Sequence, residues 1–176
     1  MPESTEQTQP ATPDRHRSYE WQDLAPTLAA LPAVAGLDLL RAIGTGELPR
    51  PPILVTMGIT PVEAEPGRVV FSLEPAEWHL NPLGTVHGGV LATLLDTCAA
   101  CALHTTLPAG RGYTTVDLSV KYLRPVTEST GTIRGEGTVV NAGRRTALTE
   151  ARAFDPAGRL LAHATSTCLL LDMRGD

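Results

Sequence analysis

Aromatic side chains are scarce: two Phe, two Trp and three Tyr make up 4% of 176 residues. A core of stacked rings is thereby excluded, and Leu, Val and Ala must fill it. Cysteine is scarce as well, and three is an odd number that fits no disulfide framework. Positive charge is in deficit, with 14 Lys and Arg against 19 Asp and Glu. A net charge of −5 argues against nucleic acid as a bulk electrostatic partner, because phosphate binding needs clustered cations. Long hydrophobic runs are missing too. The most charge-poor stretch, Val86 to Pro108, still contains His87, Asp96 and His104, so no membrane span is expected. Residues 1–20 hold no apolar segment of the signal-peptide kind, which leaves a cytoplasmic location as the expectation.

What is present fits one packed domain. Hydrophobic residues supply 42% and charged residues 19%, within the range of folded chains. Residues 1–18, polar and nearly free of large apolar side chains, are expected to be a disordered tail. Residues 19–52 read as a helical extension and connector. There Leu24, Leu28 and Leu31 recur at helical spacing, Pro32 interrupts, and Leu37, Leu40 and Ile43 resume the pattern up to Gly44 and Gly46. Residues 53–172 form the main domain. Strands are expected over Ile53 to Glu63 and Arg68 to Leu73, then a loop to His87 and a helix from Gly88-Gly89 to about His104. Past Gly112 the period becomes 2, with Val116, Leu118, Val120 and Tyr122 on one face and Thr115, Asp117, Ser119 and Lys121 on the other. Three further strands follow, near Thr130 to Val140, Arg145 to Phe154 and Leu160 to Leu171, separated by hairpin-like turns. The order predicts an α+β fold. Apolar residues circle the helix over 90–103, so an antiparallel sheet curling around one central helix is expected, with small residues such as Ala151 and Ala164 allowing close approach.

Asp96 stands out in the middle of that helix. A buried carboxylate needs a partner, and its plain alternatives are a narrow solvated stripe or a bond to Thr93 or Thr97. Gly88-Gly89 at the helix start leaves backbone N–H groups unshielded at the positive end of the macrodipole. Two glycines also suit a simple tight turn. Together with Asp96 they suggest acyl-transfer chemistry, an oxyanion donor plus a base or nucleophile. Eight residues along a helix span about 12 Å, too far for both groups to reach one carbonyl. If both act on one substrate, they come from different subunits of a homodimer.

The run Asn81-Pro82-Leu83-Gly84-Thr85-Val86-His87-Gly88-Gly89, followed by Asp96, resembles the hotdog-fold acyl-CoA thioesterases of the phenylacetic acid degradation type. The segments Thr115 to Pro125 and Asn141-Ala142-Gly143-Arg144 fit the same family, and the resemblance covers about residues 50 to 171. It implies a sheet wrapped around a long helix, dimers often paired into tetramers, and active sites at the dimer interface. Position by position, it implies Gly88 N–H as donor to the thioester oxygen and His87 as a loop-fixing or oxygen-binding residue. It further implies Asn81 orienting water or thioester, the partner's copy of Asp96 as general base or nucleophile, and Thr115 holding the attacking water. Each also has an ordinary use: His87 in the loop, Asn81 in an Asn-Pro turn, Thr115 on the polar face of its strand. A glutamate on the central helix marks another hotdog branch, acting on hydroxyaryl-CoA thioesters, and the aspartate favours the phenylacetate-type one.

Such a substrate carries phosphates, for which Arg124, Arg144 and Arg145 are the candidates, solvated surface arginines being the alternative. No separate cofactor is expected, coenzyme A being part of the substrate, and no metal. Cys98 and Cys101 have redox-motif spacing but lie in an apolar helix, where small core packing accounts for them. His79, His87 and Asp96 match no common metal-ligand spacing. The alternative function is a non-catalytic acyl-CoA-sensing hotdog module; a hotdog dehydratase lacks its histidine and acid arrangement here. For the extension over 19–52, capping the acyl pocket and padding the oligomer both fit.

Overall fold

The computed structural model describes residues 14–173. Of the tail expected over 1–18, residues 1–13 lie outside the described residues. The helices are α1 (Ala25–Ala30), α2 (Gly36–Thr45), α3 (Pro52–Met57) and α4 (Gly88–His104). The strands are β1 (Ile59–Glu65), β2 (Arg68–Leu73), β3 (Arg111–Tyr122), β4 (Ile133–Ala142), β5 (Thr146–Phe154) and β6 (Leu160–Asp172). All six strands join one antiparallel sheet in the order β1-β2-β4-β5-β6-β3, which leaves β1 and β3 at the edges. The sheet curves around α4, as the apolar helix and the small residues of the strands imply.

Close approach of helix and sheet has a definite cause. Ala151, Ala153, Ala162 and Ala164 are buried against α4. Gly137 on β4 goes further: a Cβ there would stand 2.0 Å from the carbonyl oxygen of Cys98, so only glycine fits. Leu94, Leu95, Cys98, Ala99, Ala102 and Leu103 are sealed completely. The enclosure is nevertheless incomplete. Gly89, Thr93, Asp96 and Thr97 keep solvent exposure and form an open stripe along α4, one helical turn apart. The expectation of a helix buried on every side is corrected accordingly. The apolar residues do circle the helix, but the sheet of one chain covers only part of its circumference.

Three strand expectations also change. Ile53–Met57 is helical, not extended. Pro52 enters at the first helical turn, where its fixed φ and missing N–H cost nothing, and Gly58 closes the turn at φ +68°. These two residues outweigh the β-branched Ile53 and Val55, and Leu54 is buried in the main core. On β3 the alternation resets at a bulge between Thr115 and Asp117. Val116 is therefore 57% exposed, while Leu118 and Val120 pack against the core and Thr115 turns toward α4. Thr130, expected to open β4, instead ends a short 3-10 turn over residues 128–130, and β4 begins at Ile133.

The helical extension docks firmly. A Cβ on Gly36 would overlap the backbone of His104, so α2 starts in direct contact with the end of α4. Leu39, Ile43 and Leu54 are buried. His79, in a 3-10 turn of the loop before α4, has its Nε2 3.1 Å from the carbonyl of Met57 and its Nδ1 accepting from Ala76 N–H. That pairing makes Nε2 the donor. One buried imidazole thus ties the end of α3 to the loop that carries Asn81 and His87.

Candidate active site

The loop from Asn81 to His87 is held from within. The Asn81 side-chain oxygen accepts from Leu83 N–H at 2.9 Å and Thr85 N–H at 3.3 Å, while its amide donates to Thr85 Oγ1 at 2.9 Å. This is the Asn-Pro turn chemistry of its ordinary reading, and it sets the approach to α4. His87 is the N-cap, its Nδ1 accepting from Gly89 N–H at 2.9 Å. The ring proton is thereby assigned to Nε2, which remains a donor. Val90 N–H bonds the His87 carbonyl. Among the described residues, no acceptor meets the N–H of Gly88. It is the first N–H of a 17-residue helix, where the backbone dipoles favour negative charge.

Tyr122, at the end of β3, closes over this point. Its hydroxyl donates to the Gly88 carbonyl at 2.8 Å, and a Cβ on Gly88 would come within 3.0 Å of the ring. Gly88, Leu91, Tyr122, Arg124 and Pro125 line a cavity of about 360 Å³. Arg124 also donates to the Leu160 carbonyl, which fixes it at this rim. Tyr122 was legible only as a strand residue, because its meeting with Gly88 depends on where β3 ends relative to α4.

Asp96 opens into a different cavity, of about 230 Å³. Thr115 Oγ1 donates to its carboxylate at 3.0 Å. The partner is thus neither Thr93, which bonds the Gly89 carbonyl, nor Thr97. The bulge of β3 places Thr115 there, on the inward face, which corrects its assignment to the polar face. Asp96 is half-buried, on the open stripe, not sealed in the core. Beside it, burial pushes the Cys101 thiol up to about 12, and the neighbouring Asp96 charge adds to the rise. That thiol is no nucleophile at neutral pH.

The expected site residues therefore fall into two groups within one chain. Gly88, His87 and Arg124 gather at the start of α4, and Asp96 and Thr115 gather at its middle. Arg144 and Arg145 lie exposed in the β4–β5 turn and line neither cavity. The end of β5 nearest them packs on Ala100 and Leu103, toward the far end of α4 from Gly88. Among the described residues, no three His, Cys, Asp or Glu side chains converge to hold a metal ion. None of the described helices is long and apolar enough to cross a membrane.

Comparison with known proteins places these features in context. A family model described as the thioesterase superfamily matches residues 83–162, a stretch that includes His87, Gly88, Asp96 and Thr115. Acyl-coenzyme A thioesterase 13 from Homo sapiens is 34% identical over 115 residues, 62% of this chain and 77% of that protein. A phenylacetic acid degradation-related protein from Ralstonia eutropha JMP134 superposes with a TM-score of 0.68 at 29% identity, covering 74% of this chain and 98% of that one. A Streptococcus mutans UA159 protein, solved bound to acetyl CoA, superposes with a TM-score of 0.60 at 27% identity, covering 66% and 91%.

Proposed function

The chain belongs to the thioesterase superfamily, and on that premise we propose that it hydrolyses an acyl-CoA thioester to a free carboxylic acid and coenzyme A. The carrying observation is the division of the site. A free helix-terminal N–H and a threonine-bonded carboxylate face two different cavities of one chain. Their separation along α4, about 12 Å, prevents both from reaching one carbonyl, which each must approach to about 3 Å. Two copies related by a two-fold axis remove the difficulty, each site taking Gly88 from one chain and Asp96 from its partner. The surfaces available for this are the open stripe of α4 and the twelve-residue edge strand β3, which has no neighbour on its outer side among the described residues. A dimer, itself able to pair into a tetramer, is part of the proposal.

In this scheme Asp96 takes a proton from water as the water oxygen attacks the thioester carbon. The carbonyl oxygen becomes an oxyanion held by the Gly88 N–H, with His87 Nε2–H as a second donor. Collapse breaks the carbon–sulfur bond, and the proton returns from Asp96 to the departing thiolate. Attack by the Asp96 carboxylate on the thioester carbon would instead break the carbon–sulfur bond, release the coenzyme A thiolate to take a proton from solvent, and leave an anhydride that water then cleaves. Thr115 orients the carboxylate in either route. Asn81 and Tyr122 are positioning residues, one bracing the loop and the other the Gly88 peptide. Arg124, at the rim of the Gly88 cavity, and Arg144 and Arg145, which would reach the ligand only across the dimer, are the proposed contacts for the coenzyme A phosphates. Three free cysteines suit a reducing, cytoplasmic location.

The test is thiol release from a panel of acyl-CoAs, with mass measured in solution. Asp96→Ala is expected to lower kcat by about 10²- to 10⁴-fold with the dimer intact. Near-normal activity in that variant, or full activity from a monomer, overturns the scheme. Label found in the Asp96 carboxylate after a single turnover in oxygen-labelled water identifies the anhydride route with attack at the aspartyl carbonyl, since general-base attack puts the label only in the product acid.

A further inference from the structure

The cavity beside Asp96 is walled in part by the helices that precede the sheet. Leu40 and Ile43 come from α2, Ile53 and Leu54 from α3, and Asp96 and Thr115 share the lining with them. The lining thus joins a carboxylate and hydroxyls to branched aliphatic side chains. The wall is rigid. Leu54 belongs to the main core, α2 abuts the end of α4 at Gly36, and His79 pins the last turn of α3. Building on the hydrolase proposal above, we infer that α2 and α3 are the specificity wall of the acyl pocket, with Leu40 and Ile53 setting the size of the acyl group. They cap this pocket as their role in the fold.

The dimensions and lining define the acyl class. A dry cavity of about 150 Å³ holds a benzene ring, so about 230 Å³ admits a ring-sized group with roughly two or three further carbons. An unbranched acyl chain of about eight carbons fills a similar volume. Among the described residues, Asp96 is the only charged one that lines the cavity. An acyl group with a second carboxylate would meet that like charge with no cation to offset it. Uncharged, apolar acyl groups of intermediate size are the class selected.

Octanoyl-, acetyl-, succinyl- and palmitoyl-CoA test this, together with the non-hydrolysable thioethers S-octyl-CoA and S-ethyl-CoA. The full-length protein is expected to favour octanoyl over each of the other three esters by about tenfold or more in kcat/KM. Ile53 is 50% exposed at the mouth of the cavity, so Ile53→Trp enters the pocket without disturbing the core. It should lower the octanoyl-to-acetyl ratio at least about tenfold, and the S-octyl-to-S-ethyl binding ratio with it. Leu40→Ala should shift the preference toward longer chains. Hydrolysis with an unchanged ratio in both variants overturns the specificity wall and leaves the hydrolase proposal standing. Preferential S-octyl binding that Ile53→Trp abolishes, without hydrolysis of any ester, supports the wall and overturns the hydrolase proposal.

Discussion

Two cavities lie along one helix, and they offer a thioester different things. At the start of α4 the chemistry is that of the backbone: an unbonded Gly88 N–H, a histidine cap and a tyrosine laid over the peptide. At the middle of α4 it is that of side chains: a carboxylate held by Thr115 and faced by aliphatic walls. The first suits a developing negative charge, the second a proton acceptor and a hydrocarbon tail. Neither alone completes a hydrolase. Under the hydrolase proposal the functional unit is larger than the folding unit, because a straight helix keeps its start and its middle about 12 Å apart.

The strongest way to break that comparison is to disable each half in a separate chain. Asp96→Ala alone and Gly88→Pro alone should each lose two or more orders of magnitude in kcat. Mixed and allowed to exchange subunits, they should recover roughly a quarter of wild-type activity, since half the dimers are mixed and each of those has one intact site. No recovery, with exchange verified by mass, would place both groups in one subunit's site. Gly88→Pro is a clean probe because proline is tolerated at the first helical position and His87, at φ −60° and ψ 137°, already has the backbone preferred before proline. Gly88→Ala is its control, carrying the same Cβ against Tyr122 but keeping the N–H. The proline variant should be slower than the alanine variant by about 10²-fold. Equal rates would mean that the ring contact, and not the lost donor, causes the defect.

The two halves were not equally legible in the sequence. Gly88-Gly89, the apolar run after them and the spacing to Asp96 are local patterns, so α4 and its two candidate groups could be placed before any fold was known. The distance argument followed from helix geometry alone. Thr115 was placed on the wrong face, because a one-residue bulge inverts the alternation and leaves no mark in a simple two-residue period. Ile53 to Met57 reads as strand from its β-branched residues, although Pro52 and Gly58 bracket it as a helical turn. The cavity beside Asp96 draws residues from α2, α3, β2, α4 and β3, and an assembly of five elements has no sequence signature. Gly137 passed unnoticed for a related reason: its value lies in what it approaches, the Cys98 carbonyl.

A milder perturbation sharpens the side-chain half. Thr115→Val removes the hydroxyl that fixes Asp96 and keeps the shape of the residue. One hydrogen bond to a charged group at a partly solvated site is worth about tenfold in rate. A loss of about that size in kcat, with KM little changed, fits a residue that orients the base. A rise in KM at constant kcat would instead make Thr115 a substrate-binding group.

The smallest expected effect concerns the link between the halves, His79, which bonds the carbonyl of α3's last residue and sits below the Gly88 loop. Burial holds the His79 imidazole below its ordinary value of 6.5, and burial acts on His104 in the same direction. In the unfolded chain both return to about that value, so between the folded and unfolded pKa the unfolded state binds more protons. The stability from keeping these rings neutral is complete above about pH 6.5 and is lost as pH falls toward the folded values. Protonation of His79 would also take the lone pair that accepts from Ala76 N–H. Thermal unfolding followed from about pH 8 to 5 should therefore show a Tm that is flat at first and declines below about 6.5. His79→Gln should make that decline shallower. A Tm unchanged down to pH 5 would remove His79 as the acid-sensitive tie between the extension and the catalytic loop.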